Sequence, residues 1–292
     1  MANSTLVTEF LLEIFAETWE LRIILSVLFL LVYLGSLLGN LIIIIVTTVD
    51  HTLNTPMYFF IRNLSILDMG YVSVTVPNAC INSLTDHRNI SVAGCAAQFF
   101  LFFFCACLEI QFLTIMSQDR YVAICKPLLY PMIMNHQFCV QMTLASLLIS
   151  LSLQVCTLSK LSNYPFLSCS DTFNNKLLLL LTAIGLSGSC FIFITISYVY
   201  ILSTVLKIPV KGERGKAFST CVPHIIVVSL FISSGSYVYL RPPTISEIVE
   251  GMTLSIFYTI VPPFLNPIIY SLRNKQIKEA VKKEMFRFFI VE

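Results

Sequence analysis

Long apolar runs separated by short polar clusters dominate the chain. They lie near residues 22–48, 56–82, 96–120, 138–158, 177–206, 216–240 and 246–270. Each is long enough to cross a hydrocarbon core, which takes about 20 apolar residues as a helix. After the last run, the stretch from Arg273 to Ile290 interleaves basic residues with Ile277, Val281, Met285, Phe286, Phe288 and Phe289. That pattern predicts a short amphipathic helix lying on a membrane surface; the phenylalanines argue against a nucleic-acid-binding tail. The predicted architecture is an all-α membrane protein, a seven-transmembrane helix bundle with a short amphipathic C-terminal helix. Its divisions are an extracellular tail (1–21), the transmembrane domain (22–272) and a cytoplasmic helix and tail (273–292).

Composition supports the bilayer as solvent. Hydrophobic residues make up 57% of the chain and charged residues 12%, with mean hydropathy +0.83, whereas a soluble domain carries about 25% charged residues. The N-terminal tail holds Glu9, Glu13, Glu17 and Glu20 and no basic residue before Arg22. This is unlike a cleavable signal, so the first span is expected to act as its own insertion signal. Of the 18 Lys and Arg residues, 13 fall on one side of the seven spans, from Arg62, Arg120 and Lys126 to Arg287. The positive-inside rule then places the N-terminus outside and the C-terminus in the cytosol, in a multi-pass plasma-membrane protein. The sequon at Asn3 agrees, since glycosylation needs an extracellular site. Asn89 begins a second sequon close to a span, and Asn63 a third inside one. No inverted symmetry of the kind found in transporters relates the two halves.

Charges inside the spans narrow the chemistry. Asp68 follows Pro56 by 12 residues and Glu109 precedes Arg120 by 11, so at about 1.5 Å per residue both lie roughly 16–18 Å from the cytoplasmic ends. Two carboxylates at matching depth are expected to face the interior and to share a proton or cation, or to bond to Asn40 and Asn266. They form either a structural polar knot or a state-dependent ion or proton site. Asp119 and Arg120 end the third run, where they are expected to restrain each other. Such a pair either fixes helix depth or is held for function.

The stretch from Met116 to Tyr130, MSQDRYVAICKPLLY, belongs to an ordered set of motifs. The others are Gly39-Asn40, TPMYFF from Thr55, Asn63-Leu64-Ser65 with Asp68, Ser197-Tyr198, KAFSTC from Lys216, His224, and PFLNPIIY from Pro263 to Tyr270. The set resembles the signature of olfactory receptors within the rhodopsin-like G-protein-coupled receptors and covers most of the chain. The resemblance implies a sodium-type site at Asp68, to which Glu109 adds an acid, with no other cofactor. It also implies an activation set of Asp119, Arg120, Tyr121, Tyr198, His224, Pro267 and Tyr270. Pro267 removes a backbone hydrogen bond and permits a kink. The implied partner is the stimulatory G protein of olfactory neurons, which raises cyclic AMP, with Ala123, Ile124, Lys126, Lys211, Arg214 and Lys216 as its contact surface. Membrane lipid is a second partner for the basic face. Cys95 resembles the receptor cysteine tied to the second extracellular loop, and that implies a bond to Cys169. Departures from the family are a short second loop (Leu158 to Lys176), Gln118 before the Asp-Arg-Tyr triplet, and Ile232 in the sixth span.

In the outer half, the third span has no acid between Leu101 and Cys107 to hold an amine, and the seventh has no lysine between Glu250 and Asn266 for a Schiff base. Phe102, Phe103, Ala106 and Cys107 on the third span, Thr182 and Leu186 on the fifth, Gly235 and Tyr239 on the sixth, and Ile256 and Thr259 on the seventh share an outer depth. Such an apolar cavity with a few hydroxyls suits a small, neutral, volatile odorant, although ordinary packing is the alternative for each residue. A lipid or peptide receptor of the same fold, a transporter or channel, and a receptor silenced by its short loop are the competing readings. No nucleophile, base and oxyanion group converge, so an enzyme is not expected. No metal-ligand spacing emerges.

Overall fold

The computed structural model describes residues 9–11, 18–85, 89–162, 172–207, 209, 211–240, 259–270 and 275–290. In chain order the helices are α1 (Trp19–Val49), α2 (Pro56–Thr85), α3 (Val92–Cys125), the short α4 (Tyr130–Ile133), α5 (His136–Ser162), α6 (Thr172–Lys207), α7 (Lys211–Leu240), α8 (259–270) and α9 (Lys275–Ile290). Among the described residues α1, α2, α3, α5 and α6 are long and apolar enough to cross a membrane, and α7 carries the shorter apolar stretch Cys221–Ser233. The chain is a seven-helix bundle of α1, α2, α3, α5, α6, α7 and α8.

The helices start where their sequences supply caps. Ser91 Oγ accepts from the Gly94 amide at 3.1 Å at the head of α3, and Asn135 Oδ1 accepts from the Phe138 amide at 2.8 Å at the head of α5. Each satisfies a donor that the first helical turn leaves open. Besides helices, the described residues hold one small antiparallel ladder of β1 (Glu9–Leu11) with β2 (Asn89–Ser91), in which Glu9 faces Ser91 and Leu11 faces Asn89. The all-helical expectation gave no place to this pairing, because three-residue strands leave no readable alternation. The second sequon, Asn89, lies on it.

Helix α3 is the axis of the bundle and packs against α2, α5, α6 and α7. Its interior face includes Leu108, Phe112, Leu113 and Met116, all essentially inaccessible, whereas α1 leaves Ile24, Leu31 and Leu38 more than half exposed along one stripe. With lipid as apolar as leucine, close packing and interhelical hydrogen bonds hold such helices together. The seam of α1 with α8 shows how. A Cβ added at Gly39 would lie 3.2 Å from the Pro267 side chain, and one at Gly35 would lie 2.9 Å from the Phe264 ring. The two glycines therefore set the closeness of the two backbones.

At one end α9 folds back on α1 and α2. Ile277 and Ala280 are buried, Tyr58 Oη donates to Gln276 Oε1 at 2.5 Å, and Lys283 Nζ lies 3.5 Å from Asp50 Oδ2. Asp50 also accepts from the amide and hydroxyl of Thr52 at 3.0 and 2.8 Å. These two bonds, with Lys283 adding to them, hold its carboxyl below the usual carboxylate range.

Candidate functional site

At the α9 end of α3, Asp119 is fully buried. Its Oδ2 takes both the Arg120 Nε bond at 2.9 Å and an ion pair with the guanidinium NH2 group. Its Oδ1 accepts from the Tyr130 hydroxyl at 2.8 Å. Burial and the adjoining carboxylate push the Tyr130 phenol above its ordinary range, so it remains a neutral donor. A carboxylate with no exposed surface is thus held by one charged partner and one neutral one, as a buried charge requires. Tyr130 is the member that sequence reading did not single out. Lys126-Pro127 stops α3 and a 3-10 turn over Pro127–Leu129 brings α4 back under it, a reversal that no spacing rule encodes.

Deeper in the bundle Asp68 and Glu109 are 1% and 2% exposed. Asn266 Nδ2 donates to Asp68 Oδ2 at 2.9 Å, and Glu109 interacts with Asp68 and Asn266. Asp68 Oδ1, Glu109 Oε1 and Asn266 Oδ1 have no partner among the described residues. Three buried acceptor oxygens without donors are the chemistry of a hard cation or a shared proton.

The fourth expected member, Asn40, also keeps its Oδ1 buried without a partner among the described residues, while its amide nitrogen serves another helix. Asn40 Nδ2 donates to the Pro263 carbonyl at 2.9 Å and to the Ser36 carbonyl at 3.0 Å, not to either acid. The reason is Pro267. It has no N–H, so the carbonyl four residues earlier in α8 loses its helical donor, and Asn40 from α1 replaces it.

Between these two clusters Tyr198 of α6 and His224 of α7 are joined, with Oη 2.6 Å from Nδ1 and the rings stacked 5.7 Å apart. His224 has zero exposure, and Pro223 precedes it inside the helix. Tyr270 is buried on α8, and its hydroxyl lacks a partner among the described residues. Tyr121 rings meet Tyr200 edge-on at 6.1 Å, and Lys126 lies 5.6 Å above Tyr121. Three separate contacts therefore bind α3 to α4, α6 to α7 and α2 to α8.

At the opposite end Phe102, Phe103 and Ala106 adjoin, and Cys107 turns away from them. Phe102 stacks on Tyr71 of α2 at 4.9 Å, and Ala106 packs in the same small cluster with Phe29, Val72 and Ile260. Phe103 meets Phe99 at 4.3 Å and the Phe102 ring edge-on at 5.3 Å. Cys107 turns toward α5, where Gln154 Nε2 lies 3.8 Å from its sulfur. Leu186 lines a groove of ≈ 400 Å³ with Ile149, Ser152, Leu153 and Cys156, between α5 and α6. Thr259 begins the described part of α8 and is half-buried; Thr182 falls in α6, and Gly235 and Tyr239 fall in α7. Ile256, Cys169 and Asn3 lie outside the described residues, and Cys95 is half-buried near the start of α3 without a bond to another described cysteine.

Two polar seams went unread in the sequence. Along α3 and α5, Gln111 Nε2 donates to Ser150 Oγ at 2.8 Å, one turn from the Gln154–Cys107 contact. The spacing Ser146, Ser150, Gln154 was the available signal, a polar stripe at every fourth residue of an apolar span. Along α2 and α3, Asn78 Nδ2 donates to Gln98 Oε1 at 2.8 Å and Asn82 Nδ2 to Asn78 Oδ1 at 3.0 Å.

A family model described as olfactory receptor matches residues 29–287. Human olfactory receptor 14C36 is similar at 53% identity over 100% of this chain and 99% of its own length. Human olfactory receptor 14I1 is 45% identical over 99% and 98%, and human olfactory receptor 14L1 43% identical over 97% and 92%. The first of these alignments runs over 310 positions against a chain of 292 residues, so that relative carries residues this chain lacks. Together with the seven-helix bundle, these matches show that the chain belongs to the olfactory receptor family, multi-pass G-protein-coupled receptors that sense odorants and are receptors, not enzymes.

Proposed function

We propose that this receptor binds a small, mostly apolar odorant among its helices at the β1–β2 end and activates a stimulatory, olfactory-type G protein at the α9 end, raising cyclic AMP. The observation that carries the reading is the restraint of Arg120. Its carboxylate partner Asp119 is buried and bonded both to Arg120 and to Tyr130 of α4, so freeing the guanidinium for a G protein breaks an ion pair that a second helix holds in place. A ligand that binds better when α3 and α7 have separated shifts that equilibrium. Tyr198–His224 must rearrange with it, because it spans α6 and α7. The α9 end is assigned to the cytosol by the excess of Lys and Arg on that side, which leaves the N-terminus outside.

Asp68, Glu109 and Asn266 would hold a sodium ion or a shared proton that favours the resting arrangement. Their unpartnered oxygens support this. A bond from Cys95 to Cys169, glycosylation at Asn3 and contact of the basic α9 face with anionic lipid complete the proposal. Cyclic AMP measured in cells expressing the chain with the olfactory G protein, across an odorant panel, tests it. The expected result is a response in the receptor and none in Arg120→Ala at equal surface expression. Silence of a well-expressed receptor across the panel would reject it.

A further inference from the structure

The glycines within the helices fall into two groups. A Cβ at Gly35 or Gly39 would press on Phe264 or Pro267, and one at Gly70 would touch Cys105 at 3.9 Å, so those positions are small because a neighbouring helix is near. At Gly212 and Gly215, in the head of α7, an added Cβ would meet nothing within 4 Å, and both residues are exposed. Packing does not call for a glycine there, yet each one lowers the helix–coil ratio by about twofold to fivefold relative to alanine. We propose that the head of α7, Lys211 to Lys216, is a built-in slack segment: it unwinds readily and lengthens the connection to α6, which lets α7 swing away from α3.

The sequence of the segment gives it little to hold on to. Its side chains belong to Lys211, Glu213, Arg214 and Lys216, whereas Ala217 and Phe218, which follow, pack on the core. A turn without apolar packing is marginal on propensity alone, and two glycines bring it closer to unwinding. Arg214 ties it down, since its Nη2 donates to the Leu206 carbonyl at 3.3 Å, in the last turn of α6 where carbonyls lack helical donors. The need for slack comes from the connection. Residues 208–210 join Lys207 at the end of α6 to Lys211, and covalent geometry limits their reach to about 14 Å. At the same end α3 is fastened to α6 by Tyr121 on Tyr200 and by Cys125 on Thr204, so α6 stays with α3 when α7 leaves. Unwinding Lys211 to Lys216 from about 1.5 Å to about 3.3 Å per residue lengthens the tether by about 11 Å. This inference rests on the G-protein reading above, in which α3 and α7 separate, and adds the device that permits it.

Hydrogen exchange and signalling test it together. Gly212→Ala combined with Gly215→Ala adds methyl groups in open space and disturbs no contact. In the purified receptor the protection of amides 211–216, taken relative to the intrinsic exchange rate, should rise by about fivefold to twentyfold. In cells with the olfactory G protein, cyclic AMP, unstimulated and across the odorant panel, should fall by a comparable factor at equal surface expression. A Gly-Ser-Gly-Ser insertion between Val210 and Lys211 supplies slack of its own, and in the alanine variant it should restore the signal while the raised protection persists. Gly188→Ala, equally open but in mid α6, should change neither readout. Unchanged protection in the alanine variant, an unchanged signal beside raised protection, or a lost signal that the longer connection fails to restore would overturn the proposal. Silence of every form at good surface expression, with protection raised as expected, would instead reject the G-protein reading, and the role of the slack with it.

Discussion

The α9 half and the β1–β2 half of the bundle use polar groups in opposite ways. Toward α9 three buried polar groups have partners on another element: Tyr130 holds Asp119, Tyr198 holds His224, and Lys283 holds Asp50. Toward β1–β2 the polar contacts join side-chain amides, Asn78 with Gln98 and with Asn82, beside the stacked rings of Tyr71 and Phe102. A half built to hold one arrangement until displaced needs closed pairs. A half built to admit a ligand needs surfaces that adapt, and its residues then carry no fixed pattern of their own.

The largest expected effect falls on the closed pairs. Asp119→Asn removes the charge that restrains Arg120, so unstimulated cyclic AMP should rise severalfold at equal surface expression, as a shift of about 1 kcal/mol changes a two-state ratio by roughly fivefold. Tyr130→Phe removes only the neutral donor and should raise it less. If both variants signal at the unchanged basal level, the pairing at α9 does not hold the resting state.

A next effect sits on stability. Asn40→Leu leaves the Pro263 carbonyl without a donor in a dry seam, at a cost of about 1–3 kcal/mol, and should lower the melting temperature of the detergent-solubilised receptor. Gly39→Val should do likewise, because the Pro267 side chain already lies 3.2 Å from the place of a Cβ. In the α3–α5 seam, Gln111→Leu should cost only about 0.6 kcal/mol, the usual worth of an interhelical bond in a membrane. Equal losses for Asn40→Leu and Gln111→Leu would show that the proline-made vacancy in α8 has no special weight.

The smallest effect is on pH. Asp50 is held below the usual carboxylate range in the folded receptor, so its contribution is complete above the range of the free carboxylate and is lost as pH falls through the depressed value. The protection of α9 amides, taken relative to the intrinsic exchange rate at each pH, should therefore fall in acid, and Asp50→Asn should remove that dependence. Surface pairs such as this one with Lys283 contribute little, and protection that is insensitive to pH would mean that Ile277 and Ala280 alone dock the helix.

How much was legible follows from the range of each interaction. Spans of apolar residues declare themselves because the bilayer tests every residue in them, and α1 began at Trp19 where the run suggested 22. Asp68, Glu109, Asp119 and Arg120 were visible as sites because an ionised group in hydrocarbon is expensive wherever its partner lies. The partners were not visible. Asn40 looked like a ligand for the acids, yet it serves a carbonyl stranded by a proline on another helix 227 positions away. Phe102, Phe103 and Cys107 share a depth that the sequence shows, but only the packed structure shows that the two phenylalanine rings meet at 5.3 Å while Cys107 faces Gln154 of α5.

By itself the sequence determined the membrane, the helices, the excess of basic charge on one side and the motifs shared with olfactory receptors, since all of these are properties of local composition and order. The tertiary structure alone decided which donor meets which acceptor: Tyr130 with Asp119, Asn40 with Pro263, and Asn78 with Gln98. The physical reason is that depth along a helix can be counted in the sequence, whereas the direction a side chain faces and the neighbour it meets are fixed only when seven helices pack together.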